Sequence, residues 1–446
     1  MYDGMHSQGW GRHSPQAFGS HHRLYGGGMS TPLTNWAGNV VFAAARTHRP
    51  ATVAELQGIV AGSTKARALG TGHSFNRIAD TDGDLISIAG LPEQIDIDTA
   101  ARSVRITAGL RFGQVVTHLD DAGWALPNLG SLPHISVAGA CSTGTHGSGD
   151  TNGAVATAVS AAELVTADGE IVTLSRAADP ARFPGAVLAL GALGIMTALT
   201  LDLQPTYDVQ EYVYQDLPRR EFDEHWAEVF AAGYSVSAFL DYRSPRFTQV
   251  WVKHRVDGDP WSAPATWLGA TLADRPLNPV PGMSAEHCTQ QLGVPGPWHA
   301  RLPHFRLEFT PSSGDELQSE YFVPRARIAE ALAALDPIAD RIAALLQVGE
   351  LRTIAADELW LSPAYRRDNA ALHFTWVPNT EAVLPVLAMI EERLAPLDAR
   401  IHWGKVIAAD AATVRGQFER LPDFAQLAKT MDPAGKFRNE LVEQYL

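Results

Sequence analysis

Two glycine-rich segments carry residue types that bind phosphates or large planar ligands. The first, GTGHSFN, spans residues 70–76 and places His73 inside a turn. A dinucleotide fingerprint needs a third glycine where Phe75 stands, and no Gly-Lys-Ser/Thr follows as it would in a P-loop. Backbone N–H groups of the turn can still hold a diphosphate, although the turn alone is equally consistent with a plain strand-to-loop connection.

The second segment, PNLGSLPHISVAGACSTGTHGSG, covers residues 127–149 and is small, polar and almost uncharged. Such a composition is unusual for a core segment and too apolar at its centre for a flexible linker. It is typical of a backbone that lies close against a bound molecule. Together the two segments predict an extended cofactor rather than a single phosphate.

A third set of residues has the spacing of strands that expose polar side chains on one face. Glu350 and Arg352 are two apart, as are His373 and Thr375, so each pair shares a face if its segment is a strand. Two neighbouring strands of this kind would line a hydrophilic pocket. The spacing by itself favours a solvated sheet face with an ordinary Glu–Arg pair.

Alternating and amphipathic segments predict the elements that position these residues. A capping box from Thr52 to Glu55 opens a short helix through Val60, and the apolar positions between Phe112 and Leu119 form one face of a second helix. Alternation predicts a buried strand at 85–88, a hairpin of 95–98 with 104–107, another of 162–166 with 171–174, and a strand at 195–203. Hairpin-paired strands with few helices indicate an α+β fold.

The rest of the chain predicts a second domain. Strands are expected at 306–309 and 373–376, helices at 325–346 and 381–396, and an irregular Pro-, Gly- and Trp-rich segment at 256–300. We expect residues 29–204 with about 405–446 to form a cofactor domain and 205–404 a substrate-binding cap. Residues 1–28 show no period and are predicted to be a disordered extension, with Met29 as a possible natural start. The histidines of that extension are His6, His13, His21 and His22.

Composition excludes several classes of protein. The chain has 446 residues and a formal charge of -14, which opposes nucleic-acid binding because no basic patch offsets it. No run of eighteen apolar residues occurs, so no membrane span is expected. Cys141 and Cys288 are too few for a disulfide framework and lack zinc-ligand spacing, which favours a reduced, cytoplasmic setting and no metal.

Five motifs together give the chain a family resemblance: GTGHSFN, SLPHISVAGACSTGTHGSG, HFTW, HWGK and DPAGKF. The chain resembles the alditol oxidases (xylitol and sorbitol oxidases), FAD flavoproteins of the vanillyl-alcohol-oxidase type, from Asn35 to its C-terminus. The resemblance implies a PCMH-type FAD-binding domain and a cap domain built on a mixed or antiparallel sheet with flanking helices. It also implies a monomer.

In that family the histidine of the glycine turn is joined covalently to the flavin 8α carbon, and His73 holds that place. Cys141 does not lie where some relatives form a second link, so the resemblance implies one attachment. It further implies that FAD contacts the residues of both glycine-rich segments and their neighbours: Arg67, Leu69, Gly70, Thr71, Gly72, Ser74, Phe75, Ser131, Ser136, Gly139, Thr143, Gly144, Thr145, His146 and Ile195.

For the substrate, the resemblance implies a polyol whose hydroxyls are held by Ser131, Glu350, Arg352, Thr375 and Lys405. The C1 hydroxyl would be oxidised to the aldose by hydride transfer to flavin N5, with O2 reduced to H2O2. His373, Lys405 and Arg352 would be the catalytic residues, and a cation near the flavin would stabilise its anionic reduced form. Either His373 or Lys405 could be the base.

Three other functions remain open at this point. A sugar-lactone oxidase of the same fold would share the glycine turn but not the whole polar set. A polyol-binding relative without redox turnover would be colourless. A nicotinamide dehydrogenase is disfavoured by Phe75. The sequence does not rank xylitol against sorbitol, mannitol or glycerol.

Overall fold

The structure is a computed structural model that describes residues 32–259, 261–308 and 315–446. The expectations for residues 1–28, for Met29 and for Phe309 lie outside these ranges. The strands are β1 Arg46–His48, β2 Ala66–Leu69, β3 Asp84–Ser87, β4 Ile95–Asp98, β5 Ser103–Thr107, β6 Trp124–Ala125, β7 Val159–Val165, β8 Ile171–Ser175, β9 Ile195–Asp202, β10 Gln204–Pro205, β11 Asp208–Pro218, β12 Ser235–Leu240, β13 Arg246–Arg255, β14 Thr266–Trp267, β15 Ala270–Leu272, β16 Gly296–Pro297, β17 Leu317–Pro324, β18 Leu346–Ile354, β19 Asn369–Trp376 and β20 Arg400–Ile401.

The helices are α1 Val53–Gly62, α2 Phe112–Asp121, α3 Val137–Thr143, α4 Phe183–Ala186, α5 Arg219–Ala231, α6 Ile328–Leu335, α7 Ala339–Leu345, α8 Thr380–Leu394, α9 Ala411–Gly416, α10 Leu421–Met431 and α11 Glu440–Glu443. Within the described ranges, no helix is both long and apolar enough to cross a membrane.

Two sheets build the part of the fold that carries the glycine-rich segments. β1, β3 and β2 form a small parallel sheet, and β4, β5, β9, β7 and β8 form an antiparallel one in that order. Thr52 caps α1 as predicted, since its Oγ1 accepts a hydrogen bond from Glu55 N at 3.1 Å. The predicted apolar face of α2, from Phe112 to Leu119, is buried. β2 leads directly into the glycine turn.

A ten-stranded antiparallel sheet builds the second part. Its order is β14-β15-β11-β13-β12-β18-β19-β17-β20, and β16 pairs with β11. α6 and α8 pack against each other, and Leu332 and Leu387 on them are fully buried. Phe374 and Trp376 point away from the polar face of β19, and their stacked rings are buried. The predicted α+β class, with sheets flanked by helices, is confirmed.

Two predicted elements differ from the structure. The single helix expected at 325–346 is divided into α6 and α7 by a 3-10 turn at Asp336–Ile338, because Pro337 has no N–H to continue the helical ladder. The strand expected at 306–309 is absent from residues 306–308. Only one antiparallel bridge forms there, between Cys288 and Phe305. Residues 256–300, apart from β14, β15 and β16, are irregular or form short 3-10 turns where described.

The C-terminal residues pack back onto β2. Ala66 N donates to Lys436 O at 2.9 Å, and Arg67 Nη1 donates to Phe437 O at 2.7 Å. Lys436 Nζ donates to Val60 O and to Ala167 O, each at 2.6 Å. The segment that follows α10 is therefore part of the support beneath the glycine turn.

Candidate active site

The glycine turn is fixed by two distant segments of the chain. Gly72 has a φ of +69°, and its carbonyl accepts from Trp36 N at 2.8 Å. Phe75 N donates to Gly404 O at 2.8 Å, and Asn76 Nδ2 donates to Lys405 O at 2.8 Å. These bonds bring the HWGK motif against GTGHSFN, although the two are far apart in sequence.

His73 presents a free ring nitrogen at this turn. Its imidazole stacks on Trp36 with 5.1 Å between ring centroids and 20° between planes. Nδ1 is buried and has no hydrogen-bond partner in the described part of the chain. Burial, with the nearby His134 and Arg111, lowers the pKa of His73 to about 4. The imidazole is therefore neutral at pH 7, the state in which a ring nitrogen can act as a nucleophile.

The two glycine-rich segments meet along one cavity of about 340 Å³. A Cβ added at Gly70 or at Gly139 would lie 2.5 or 2.7 Å from Ser136 Oγ. Ser136 N also donates to Thr71 Oγ1 at 3.1 Å. The two backbones thus approach each other where glycine is needed. This close approach, the unpartnered His73 Nδ1 and the length of the lining fit an FAD cofactor.

Most predicted cofactor residues line this cavity. They are Arg67, Leu69, Gly70, Thr71, Gly72, His73, Ser74, Phe75, Ser131, Ser136, Gly139, Thr143, Thr145 and His146. Gly144 and Ile195 do not. Gly144 ends α3 in the left-handed region, where an added Cβ would meet Leu188 at 3.1 Å. Ile195 lies on β9 between Gly194 and Met196, which line the cavity, so its side chain points to the opposite face.

Arg67 has a structural role as well as a place in the lining. Its buried guanidinium donates to the carbonyls of Leu190 at 2.8 Å, Gly191 at 3.1 Å and Phe437 at 2.7 Å, and also to Ile78 O. Burial lowers the pKa of Arg67 to about 10. The side chain joins three segments around β2, so its donors are largely used by the fold itself.

The polar pairs predicted on strands lie on adjacent strands and face the same cavity. β18 and β19 pair antiparallel with Glu350 directly opposite His373. Arg352 and Thr375 share that face, and all four residues line the cavity. Ser131, from the second glycine-rich segment, lies with Oγ 3.5 Å from Arg352 Nη1. These five side chains therefore form a hydrophilic pocket, whereas the spacing alone favoured a solvated sheet face.

A third strand completes the polar face. β17 pairs with the other edge of β19 and places Glu320 opposite His373 and Gln318 opposite Thr375. Glu320 Oε1 lies 2.6 Å from Arg352 Nη2, 3.2 Å from His146 Nε2 and 3.4 Å from His373 Nδ1. Burial alone would raise the pKa of Glu320, but His146 and Arg352 outweigh it and hold that pKa well below its usual value.

Lys405 and His373 are the two candidate bases. Lys405 Nζ donates to Gln318 Oε1 and lies 5.2 Å from the centre of the Phe75 ring. Burial lowers the pKa of Lys405 to about 8, against the opposing effect of Glu320. Burial also lowers the pKa of His373, which Glu320 partly offsets. At pH 7 the His373 imidazole is therefore neutral and the Lys405 amine is mostly protonated.

Sequence reasoning missed three residues of this pocket: Gln318, Glu320 and His304. The first two had a usable signal, since they alternate in the segment LQSEYFVP as polar residues of a strand do. His304 stands alone in an irregular region, and no period could have indicated it. Its Nε2 lies 2.9 Å from Glu350 Oε1.

The chain matches two protein families and several known proteins. Residues 44–175 match an FAD binding domain family, and residues 315–445 match the D-arabinono-1,4-lactone oxidase family. It is 53% identical to an alditol oxidase of Streptomyces sp. (strain IKD472 / FERM P-14339), over 94% of this chain and 100% of that protein. It is 28% identical to an L-gulono-1,4-lactone dehydrogenase of Mycobacterium tuberculosis (strain CDC 1551 / Oshkosh), with 94% and 100% covered.

Solved structures share the fold at low sequence identity. A solvent-stable cholesterol oxidase superposes with a TM-score of 0.75 at 14% identity, over 93% of this chain and 97% of that chain. A xylooligosaccharide oxidase from Myceliophthora thermophila C1 in complex with xylobiose gives 0.70 at 14% identity, over 91% and 92%. With the near-complete match to the Streptomyces protein, these findings show that the chain belongs to the alditol oxidase family of FAD flavoproteins, which has the vanillyl-alcohol-oxidase fold.

Proposed function

We infer that the protein is an FAD-dependent alditol oxidase, which oxidises the terminal hydroxyl of polyols such as xylitol and sorbitol to give the aldose. The observation that carries this function is the polar row on β17, β19 and β18. Glu320, His373 and Glu350 lie side by side there and face the cavity formed by the glycine-rich segments. The 53% identity to an alditol oxidase supports the same reaction.

The charges of the pocket suit an uncharged substrate with many hydroxyls. Glu320 and Glu350 are balanced by Arg352 and Lys405, and His373 is neutral at pH 7. Within this set of four side chains the negative and positive charges cancel, so the set has no excess charge with which to attract an acid or an amine. It offers carboxylate acceptors and cationic donors at fixed positions, which is what recognition of a polyol requires.

Bound FAD would supply the electron acceptor for oxidation at C1, with dioxygen as the final acceptor and hydrogen peroxide as the product. We propose that the residues of both glycine-rich segments hold it and that His73 is its covalent attachment point. The neutral, unpartnered Nδ1 of His73 supports this role.

We assign His373 as the base that takes the hydroxyl proton. Its Nδ1 faces Glu320 at 3.4 Å, so Nε2 is the nitrogen left to accept a proton, 3.3 Å from Thr375 Oγ1. The Glu320 carboxylate would stabilise the resulting imidazolium. Lys405, protonated at neutral pH, would hold the substrate oxygen, and Ser131, Glu350, Arg352 and Thr375 would bind the other hydroxyls.

A lactone oxidase is the second candidate, because residues 315–445 match the D-arabinono-1,4-lactone oxidase family. The lactone-oxidising relatives in the comparison are more distant than the alditol oxidase, at 28% identity for the mycobacterial protein. A lactone lacks the free terminal CH2OH–CHOH pattern at its reacting end. A substrate panel therefore separates the two functions.

The experiment is anaerobic mixing of the purified yellow protein with xylitol, sorbitol, mannitol, glycerol and L-gulono-1,4-lactone, followed by admission of air. We expect the alditols to bleach the flavin absorbance and to release peroxide and an aldose after air is admitted. A Thr375→Val variant serves as the site control and should raise the KM for xylitol. Bleaching by the lactone alone would overturn the proposed function in favour of the second candidate.

Two finer proposals concern the cellular compartment and the oligomeric state. Cys141 and Cys288 are both free and buried, which suits a reduced compartment such as the cytoplasm. We also propose that the protein acts as a monomer, because one chain supplies all the residues assigned above.

A further inference from the structure

A buried lysine lies on the same face of the large sheet as Glu350, two strands away on β13. Lys253 on β13 is 1% exposed, and its ammonium donates to the carbonyls of Arg301 and Leu302 at 2.8 Å and of Pro303 at 3.1 Å. Glu211 Oε2 lies 3.5 Å from the same nitrogen. A buried ammonium with these partners fixes the path of residues 301–303.

The next residue, His304, links this lysine to the pocket. Lys253 Nζ lies 3.3 Å from His304 Nδ1, and His304 Nε2 lies 2.9 Å from Glu350 Oε1. An ammonium has donors only, and its three protons already point at the carbonyls of residues 301–303, so His304 Nδ1 must face it with a lone pair and the ring proton must sit on Nε2. Burial and Lys253 together lower the pKa of His304 to about 4, which agrees with a neutral ring.

Glu350 therefore receives a hydrogen bond from His304 Nε2 and remains a carboxylate. Arg352 Nε lies 3.6 Å from Oε1, the same oxygen that faces His304. No hydrogen bond to Oε2 occurs among the described residues, and Glu350 lines the cavity. An ionised carboxylate only accepts hydrogen bonds, so the ligand group that it recognises must be a donor such as a hydroxyl.

The backbone of His304 reaches the other side of the pocket. His304 N donates to Ser131 O at 3.2 Å, and Ser131 is the residue of the second glycine-rich segment assigned to substrate binding. One residue thus contacts two residues proposed to bind substrate, one on β18 and one in the second glycine-rich segment. The ring itself is held by edge-to-face contacts with Phe239 and Trp251, with 5.6 and 5.2 Å between centroids.

We propose that Lys253 and His304 form a donor relay that positions Glu350 and makes the pocket specific for a hydroxyl group of the substrate. His304 is a positioning residue, and Glu350 is the group that touches the substrate. The proposal deepens and rests on the proposed alditol oxidase function. If the relay exists, Glu350 should bind a hydrogen-bond donor on the polyol chain, and analogues that lack this donor should bind more weakly.

The first arm of the test measures the tautomer of His304 directly. In holoenzyme labelled with 15N-histidine, the His304 signals are assigned by their absence in His304→Gln. We expect a neutral ring with its proton on Nε2 throughout pH 6 to 8. A ring protonated on Nδ1, or on both nitrogens, would overturn the relay whether or not the enzyme oxidises alditols.

The second arm measures kinetics with xylitol and a series of monodeoxy-xylitols. His304→Leu removes the donor, so we expect the KM for xylitol to rise about tenfold or more while kcat changes less than about threefold. At least one monodeoxy-xylitol should lack the hydroxyl that Glu350 binds, and wild type should bind it weakly. His304→Leu should bind that analogue no more weakly than wild type does. His304→Gln, whose amide can both accept from Lys253 and donate to Glu350, should restore most of the xylitol affinity.

His254→Gln is the matched control, since His254 neighbours Lys253 on β13 but stacks on Trp261. It should leave both kinetic constants near those of wild type. The relay would be contradicted if His304→Leu lowered kcat equally for every substrate. It would also be contradicted if removing one hydroxyl from xylitol raised the KM as much in His304→Leu as in wild type. If wild-type flavin is not reduced by any alditol, the proposed function fails, and the tautomer measurement still decides whether the relay exists.

Discussion

Glu320 Oε1 lies 2.6 Å from Arg352 Nη2, although the strands that carry the two residues, β17 and β18, are separated by β19. The bond passes over the polar face of β19, beside His373. Glu320 is 2% exposed and Arg352 6% exposed. A buried ion pair that spans three strands fixes their polar faces relative to one another. It also places a carboxylate next to the proposed base.

The first prediction concerns that carboxylate. Glu320→Gln keeps the shape but leaves Arg352 without its closest anion, and breaking a buried pair typically costs about 3–5 kcal/mol of folding stability. We expect a lower melting temperature and a slower rate of flavin reduction by xylitol, because His373 loses the group that stabilises its protonated form. Stopped-flow reduction and thermal melts measure both effects.

The control for this variant is Glu358→Gln. Glu358 pairs with Arg366 at 2.9 Å on the surface, where both side chains are more than half exposed. Such pairs add little to stability, so its melting temperature and reduction rate should match those of wild type. Equal behaviour of the two variants would contradict a role for Glu320.

The second prediction concerns pH. The pKa of Lys405 is lowered to about 8, so its positive charge is present below that pH and is lost as the pH rises through it. If the ammonium holds the substrate oxygen, the rate constant of flavin reduction should fall on the alkaline side with an apparent pKa near 8. Lys405→Arg keeps the charge over this range, so its profile should lack that alkaline limb.

A rate constant of flavin reduction that rises with pH would reverse the roles assigned to Lys405 and His373. A reduction rate that rises through pH 8 in wild type would make neutral Lys405 the base and His373 its partner. The measurement is the limiting rate constant for anaerobic reduction by saturating xylitol between pH 6 and pH 10, with the melting temperature recorded at each pH.

The third prediction concerns the attachment of the flavin. In wild type, acid precipitation should leave the yellow colour in the pellet, and intact-protein mass should include one FAD. In His73→Ala the colour should move to the supernatant. His134→Ala is the control, because His134 lies near His73 but its Nε2 bonds Leu307 O at 2.8 Å. Colour retained by the His73→Ala pellet would exclude His73 as the tether.

The fourth prediction concerns a close approach of two loops beside the pocket. A Cβ at Gly147 would lie 2.3 Å from the carbonyl oxygen of Leu129, so Gly147→Ala must displace the backbone that leads to Ser131. Forced overpacking of this kind costs about 1–3 kcal/mol. We expect a lower melting temperature and a raised KM for xylitol.

Gly58→Ala is the matched glycine control. It lies in α1, where a new Cβ would meet nothing within 4 Å, and alanine favours a helix. Its melting temperature should equal or exceed that of wild type, and the xylitol KM should not change. A Gly147→Ala variant with the same properties would show that the loop contact is not needed.

The polar pocket was predictable where a strand period showed it. The two-residue spacing of Glu350 with Arg352, and of His373 with Thr375, placed each pair on one face, and the strands are neighbours as expected. The same rule applied to LQSEYFVP would have found Gln318 and Glu320. The strand predicted at 306–309 is instead an irregular segment with only the Cys288–Phe305 bridge beside it, where the structure describes it.

Other features depend on contacts between distant residues, which no local pattern contains. Lys253 and His304 meet Glu350 only because β13, β12 and β18 are neighbours in the large sheet. The family resemblance assigned Ile195 to the cofactor, whereas the alternation of β9 turns its side chain away from the cavity that Gly194 and Met196 line. The break between α6 and α7 could have been predicted, since Pro337 interrupts the helical ladder.

The bonds that residues 436 and 437 make to β2 have a consequence for biosynthesis. Arg67 is translated 370 residues before its partner Phe437, and Ala66 as long before its partner Lys436. The strand that leads into the flavin turn therefore cannot complete its hydrogen bonds until residues 436 and 437 have been synthesised. Flavin loading should follow that step, so a premature stop codon before residue 436 should yield a colourless protein despite an intact GTGHSFN motif.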